Sequence, residues 1–147
     1  GLSNSKQAAE KPRAVPDQAA KFAGKRFLVV EDEPLVALDI VAGLQKAGAE
    51  AVGPVGTPEQ ALAIIEKEAI NGALLDANLR GRPVGDIAAA LTRRRVPFVF
   101  VTGYGRESLP EAFAKAPMLP KPFTEAQLLE AAADLVDRRA ATVRLRD

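Results

Sequence analysis

The stretch Phe27–Pro34, "FLVVEDEP", decides the fold. Its four apolar residues read as a short strand buried on both faces, as in a parallel sheet. Three acids follow without a break: Glu31, Asp32 and Glu33. Like charges at the mouth of a core strand repel one another, so this turn calls for a partner of opposite sign. Pro34 then opens "PLVALDIVAGLQKAG", where Val36, Ile40, Val41 and Leu44 recur at helical spacing and Gly48 marks the stop. Strand, acidic turn and helix make the first unit of an alternating chain.

The pattern repeats downstream. "AEAVGPV" is a weaker strand, and "TPEQALAIIEKEA" is a helix capped by Thr57 with Pro58 at its first position. "GALLDAN" is a third strand, followed by the Gly- and Arg-bearing loop "LRGRPVG" and the helix "DIAAALTRRR". "PFVFV" is a fourth strand, "TGYGRESLPEAFAKA" a loop with one short helix, and "PMLP" a short fifth strand. "TEAQLLEAAADLVDRRA" closes the chain as a helix capped by Thr124. Strands and helices in alternation predict an α/β fold, a doubly wound five-stranded parallel sheet covered on both faces. Ahead of it, residues 1–24 are polar, Ala-rich and carry two prolines, the composition of a linker or flexible tail. The expected division is a tail over 1–24, a domain over 25–140 and a C-terminal tail over 141–147.

Composition narrows the chemistry. With 147 residues, 48% apolar and 27% charged, the chain has the balance of one ordinary globular domain. A net charge of +1 gives no sign of nucleic acid or a membrane surface as partner. There is no cysteine, which excludes disulfides, thiolate metal sites and a thiol nucleophile. There is no histidine either, which excludes a Ser-His-Asp centre, imidazole ligands and a phosphohistidine on this chain. No apolar run is long enough to span a bilayer, and the cytoplasm is the expected location. Met118 is the single methionine, so the chain reads as processed, tagged or cut from something longer.

In an open parallel sheet, ligands bind beyond the carboxyl ends of the strands, where the strand order reverses. The first strand ends in Glu31 and Asp32, and the third in Asp76 with Asn78 shortly after. The fourth ends in Thr102, and the fifth at Lys121 in "PKPF". Two carboxylates ~4 Å apart repel by roughly 4 kcal/mol at an effective dielectric of 20. A hard divalent cation such as Mg²⁺, which favours carboxylate and carbonyl oxygens, removes that cost. A lysine and a metal beside one carboxylate also make a place for an incoming phosphoryl group. Asp76 is then a candidate nucleophile and Thr102 a candidate donor to a phosphoryl oxygen. A dinucleotide site is excluded at the same turn, because it needs a glycine-rich loop and "EDEP" would repel phosphate.

The acidic pair after strand one, the Asp after strand three, the Thr after strand four and the Lys-Pro after strand five resemble response-regulator receiver domains. The resemblance covers about Arg26 to Arg139 and implies a flavodoxin-like (βα)5 fold. It implies that Asp76 is the phosphoacceptor, receiving its phosphoryl group from a phosphohistidine on a partner kinase or phosphotransferase. It further implies Asp32 as a direct Mg²⁺ ligand, Glu31 acting largely through water, and the backbone carbonyl of Asn78 as a further ligand. Thr102 becomes the switch hydroxyl and Lys121 the phosphate-pairing lysine, before a cis Pro122. The family also implies slow self-dephosphorylation and no activity as an independent enzyme. Two departures stand out. Met118 occupies the strand-five position where the family carries an aromatic switch residue. Gly103, Gly105, Pro110 and Pro117 crowd the next segment, so the fourth helix should be short or mobile. "PFVFVTGYG" resembles an alphaproteobacterial subgroup with a Phe-Ala-Thr-Gly-Tyr motif, nicknamed FATGUY, which makes Tyr104 the candidate moving aromatic.

The residues beyond Lys121 leave no room for a DNA-binding unit. Two arrangements fit: a stand-alone regulator that docks to a downstream protein, or the C-terminal receiver of a hybrid histidine kinase, with the linker-like start favouring the second. The expected contact face lies around the fourth helix, the fifth strand and the closing helix, and a homodimer is one use of it. Two other readings compete: a degenerate receiver that only binds proteins, and a haloacid-dehalogenase-type phosphatase. The second needs an Asp where Asn78 stands and its nucleophile on strand one. "RRR" at Arg93–Arg95 reads as a solvated helix end.

Overall fold

The computed structural model describes residues 19–146; the first part of the expected leading tail, 1–18, and Asp147 lie outside the described residues. Five strands are present: β1 Arg26–Val30, β2 Glu50–Val55, β3 Gly72–Asp76, β4 Phe98–Thr102 and β5 Met118–Pro120. All neighbours pair in parallel, in the order β2-β1-β3-β4-β5. The connecting helices are α1 Pro34–Lys46, α2 Pro58–Lys67, α3 Gly85–Arg93 and the closing α4 Glu125–Arg146. This is the doubly wound, flavodoxin-like α/β fold.

Local chemistry explains the elements. Pro34 and Pro58 open α1 and α2, where a missing N–H costs nothing. Thr57 Oγ1 accepts from the Gln60 N–H. At α4, Gln127 N–H donates to Thr124 Oγ1 while Thr124 N–H donates to Gln127 Oε1, a reciprocal cap. Along the strands, alternate side chains separate into two cores. Leu28, Val30, Ala73, Leu75 and Phe100 face α2 and α3, meeting Ala61, Ile65, Ile87 and Leu91. Phe27, Val29, Leu74, Val99 and Val101 face α1 and α4, meeting Ile40, Leu44, Leu128 and Leu135. Burial on both faces is why β3 and β4 read as unbroken apolar runs.

The inward face of α1 is Ala37, Ile40, Gly43 and Leu44, with the expected Val36 and Val41 packed at its margin and Leu35 and Leu38 exposed. Gly43 is there because α4 passes so close that a Cβ would lie 2.6 Å from Leu128 Cδ2. The expected single short helix after β4 is instead two turns of 3-10 helix, Arg106–Ser108 and Glu111–Phe113. Pro110 divides them, and Arg106 Nη1 donates to the carbonyls of Ala114 and Ala116, bracing the segment without a helical ladder. Finally, the end of the expected tail packs onto the body: residues 19–22 are helical and Phe22 is buried edge-on against Phe27. At the other end, α4 runs past the expected boundary at 140 to Arg146. Among the described residues no helix is long and apolar enough to cross a membrane.

The strand order reverses between β1 and β3. Their carboxyl ends therefore open a crevice at that point.

Candidate functional site

Glu31 and Asp32 leave β1, Asp76 ends β3, Thr102 ends β4 and Lys121 follows β5, all at the carboxyl edge. Parallel pairing holds them there: Lys121 N–H donates to the Thr102 carbonyl, and Ala77 N–H to that of Val101. Glu31, Asp76 and Thr102 are the buried polar residues of the described chain. One carboxylate oxygen from each of Glu31, Asp32 and Asp76 lies within 4.8 Å of the others.

Lys121 is the common counter-ion. Its Nζ is 3.3 Å from Glu31 Oε1, 3.3 Å from Glu33 Oε1 and 3.7 Å from Asp76 Oδ1. Its peptide bond to Pro122 is cis. Burial draws the Lys121 ammonium down, but attraction to Asp76 and Glu31 outweighs it and the net shift is upward. Burial pushes the Asp76 carboxyl up to about 7, opposed by the Asn78 N–H at Oδ1 and by Lys121, and reinforced by the charge of Glu31.

The fit for a hard divalent cation rests on one further observation. Glu31 Oε2 accepts from the Glu33 N–H, whereas Oε1 is buried without a hydrogen-bond partner among the described residues. Lys121 Nζ lies 3.3 Å from that oxygen without a hydrogen bond to it, so a further cation would still be favoured there. Three oxygen donors converging from acids match the preference of Mg²⁺.

The switch candidates Thr102 and Tyr104 engage the loop that follows β4. Thr102 Oγ1 accepts from the Tyr104 N–H at 2.9 Å and contacts Ser108 Oγ at 3.2 Å, so its hydroxyl is engaged with the loop. Tyr104 itself is exposed. Met118 is half-buried against the α2/α3 core. Two participants escaped the sequence reading. Ser108 carries no motif that marks it. Arg80 pairs with Asp32, its Nε 2.7 Å from Oδ2; the two arginines of the loop after β3 were the available signal.

Residues 27–133 match the response regulator receiver domain, and the chain belongs to that family. Among curated proteins it is 29% identical over 111 residues to the transcriptional regulatory protein PdtaR of Mycobacterium tuberculosis, covering 73% of this chain; the chain spans about half, 54%, of that relative's length. Among solved structures it is similar to SdrG from Sphingomonas melonis Fr1, with 41% identity, a TM-score of 0.69, and coverage of 76% of this chain and 96% of that one. It is also similar to the receiver domain of the sensor histidine kinase PA1611 from Pseudomonas aeruginosa PAO1, with 25% identity, a TM-score of 0.68, and coverage of 78% and 99%. That structure holds a magnesium ion coordinated in the active site cleft. The chain is thus a receiver domain of two-component signalling.

Proposed function

We propose that the chain accepts a phosphoryl group on Asp76 from a phosphohistidine of a partner kinase or phosphotransferase and thereby changes its contacts with a downstream protein. The observation that carries this reading is the convergence of Lys121 on Glu31 and Asp76 beside an orphaned carboxylate oxygen.

Glu31, Asp32, Asp76 and the Asn78 carbonyl would hold Mg²⁺, whose charge would keep the carboxylates ionised and attract phosphoryl oxygens. The chain's own groups do the rest. An Asp76 oxygen attacks phosphorus; the new O–P bond forms as the N–P bond breaks, and the departing imidazole keeps the electron pair. Lys121 pairs with the transferred charge that arrives beside Asp76. Thr102 turns from its loop partners to donate to a phosphoryl oxygen. That movement releases the Tyr104–Ser108 segment, which supports the FATGUY-like reading with Tyr104, rather than Met118, as the moving side chain. Leu35 and Leu38, exposed at the start of α1 beside the acidic turn, offer apolar contact to the phosphohistidine partner.

We place the receiver body at 25–140, with Phe22 packed against it, as the receiver of a hybrid kinase or a stand-alone regulator working in the cytoplasm. Incubation with acetyl phosphate and Mg²⁺ tests the proposal by intact mass. One phosphate adduct on wild type and none on Asp76→Asn is expected; absence of any adduct on wild type would favour a receiver that only binds proteins.

A further inference from the structure

Arg80 touches two of the oxygens assigned above to the metal. Its Nε donates to Asp32 Oδ2 at 2.7 Å, and its backbone N–H donates to the Asn78 carbonyl at 3.0 Å. The positive charges of the site are divided between two residues. Lys121 pairs with Glu31, Glu33 and Asp76, while Asp32 pairs with Arg80.

The loop is built to deliver that guanidinium. Leu79 is buried at its root, and Leu79 and Arg82 form a small antiparallel bridge. The Gly81 N–H donates to Asn78 Oδ1, and Arg82 pairs with Glu59 on α2, tying the loop down from outside. Arg80 itself has φ +52°, a left-handed backbone that a non-glycine residue adopts only where its surroundings hold it. The backbone is thus fixed, yet the Arg80 side chain is 77% exposed while that of Asp32 is only 10% exposed. Swinging outward would cost Arg80 little packing. Asp32 would be left nearly buried and in need of another cation.

We infer that Arg80 is a built-in counter-ion that holds Asp32 when the metal is absent and competes with Mg²⁺ for it, lowering the affinity of the site. The inference rests on the reading of Asp32 and the Asn78 carbonyl as metal donors. A carbonyl oxygen has two lone pairs, so the backbone bond to Asn78 can persist beside a metal. The guanidinium cannot share Asp32 so easily, because two cations on one carboxylate repel.

The test is calorimetric titration of Mg²⁺ into wild type, Arg80→Asn, Arg80→Lys and Arg82→Asn, with metal-free melting temperatures alongside. Asn tolerates the left-handed backbone, so Arg80→Asn removes the charge without forcing the loop. It is expected to bind Mg²⁺ roughly two- to fivefold more tightly than wild type, the range of an exposed ion pair. Arg80→Lys keeps the cation and should stay near wild type. Arg82→Asn removes the same charge from the loop's outer tie while Arg80 stays in place, and should raise the affinity less than Arg80→Asn does. Without metal, Arg80→Asn should melt below wild type, and saturating Mg²⁺ should close the gap. If wild type binds Mg²⁺ and Arg80→Asn binds it equally or more weakly, Arg80 does not compete and the inference is wrong. If neither binds, the metal reading itself falls and takes this one with it.

Discussion

Lys121 Nζ stands 3.3 Å from Glu31 Oε1, across 90 residues of sequence. The Glu31 side chain is fully buried, and this contact supplies positive charge to an oxygen that has no hydrogen bond. Breaking a buried pair by removing one partner is costly because the other charge stays behind. Lys121 retains some exposure, so the loss is discounted. Lys121→Met is expected to lower metal-free stability by about 1–3 kcal/mol in urea unfolding at alkaline pH. Unchanged stability would mean that Glu31 is neutralised in another way.

Asp76 gives the metal-free protein a pH signature. Its folded carboxyl is raised to about 7 by burial, above the ordinary carboxylate value of the unfolded chain. Between those values the folded state holds more protons, so stability falls as pH rises. This contribution is fully present below about pH 4 and lost as pH passes through about 7. Thermal melts in EDTA should show that decline for wild type, and Asp76→Asn should flatten it. A wild-type profile identical to that of the variant would contradict the raised carboxyl.

Ser108 contacts the Thr102 hydroxyl at 3.2 Å. Its Oγ donates to the Gly105 carbonyl at 2.7 Å, which leaves Thr102 as the donor in their shared contact. Ser108→Ala removes that acceptor and leaves Thr102 only the longer bond to the Tyr104 carbonyl at 3.3 Å, so it turns more readily to a phosphoryl oxygen. Phosphoryl occupancy at fixed, subsaturating acetyl phosphate should rise roughly two- to tenfold, the net worth of one neutral hydrogen bond. Unchanged or lower occupancy would show that Ser108 is no brake.

Phe22 ties the leading segment to the body. Its ring lies 6.1 Å from that of Phe27 and is 1% exposed. Phe22→Ala is expected to cost about 3 kcal/mol by leaving a cavity under α4. A loss near zero in denaturant unfolding would return the segment to a dispensable tail.

Much of this was legible in the sequence, for physical reasons. "FLVV", "GALLD" and "FVFVT" announce strands buried on both faces, and the residues that end parallel strands must share one edge. The acids, Thr102 and Lys121 could therefore be placed together without coordinates. Side-chain reach was not legible in the same way. That Arg80 would bend back to Asp32 depends on a left-handed turn and on Arg82 gripping Glu59. The inward face of α1 was legible from Ile40 and Leu44, with Val36 and Val41 packed beside them; the close approach of α4 at Gly43 was not. The 3-10 turns replaced a helix because Arg106 and Pro110 brace the chain locally, a device no apolar periodicity reveals. Phe22 looked like part of a polar tail because one aromatic leaves no pattern.

The central claim is that the Asp76 carboxylate takes a phosphoryl group from a nitrogen donor. Phosphoramidate, whose N–P bond stands in for phosphohistidine, tests it most directly when reacted with the protein in Mg²⁺ and followed by phosphorus NMR. One protein-bound acyl phosphate is expected, discharged by hydroxylamine and missing from Asp76→Asn and from samples in EDTA. A label that resists hydroxylamine, or one that survives the loss of Asp76, would contradict it.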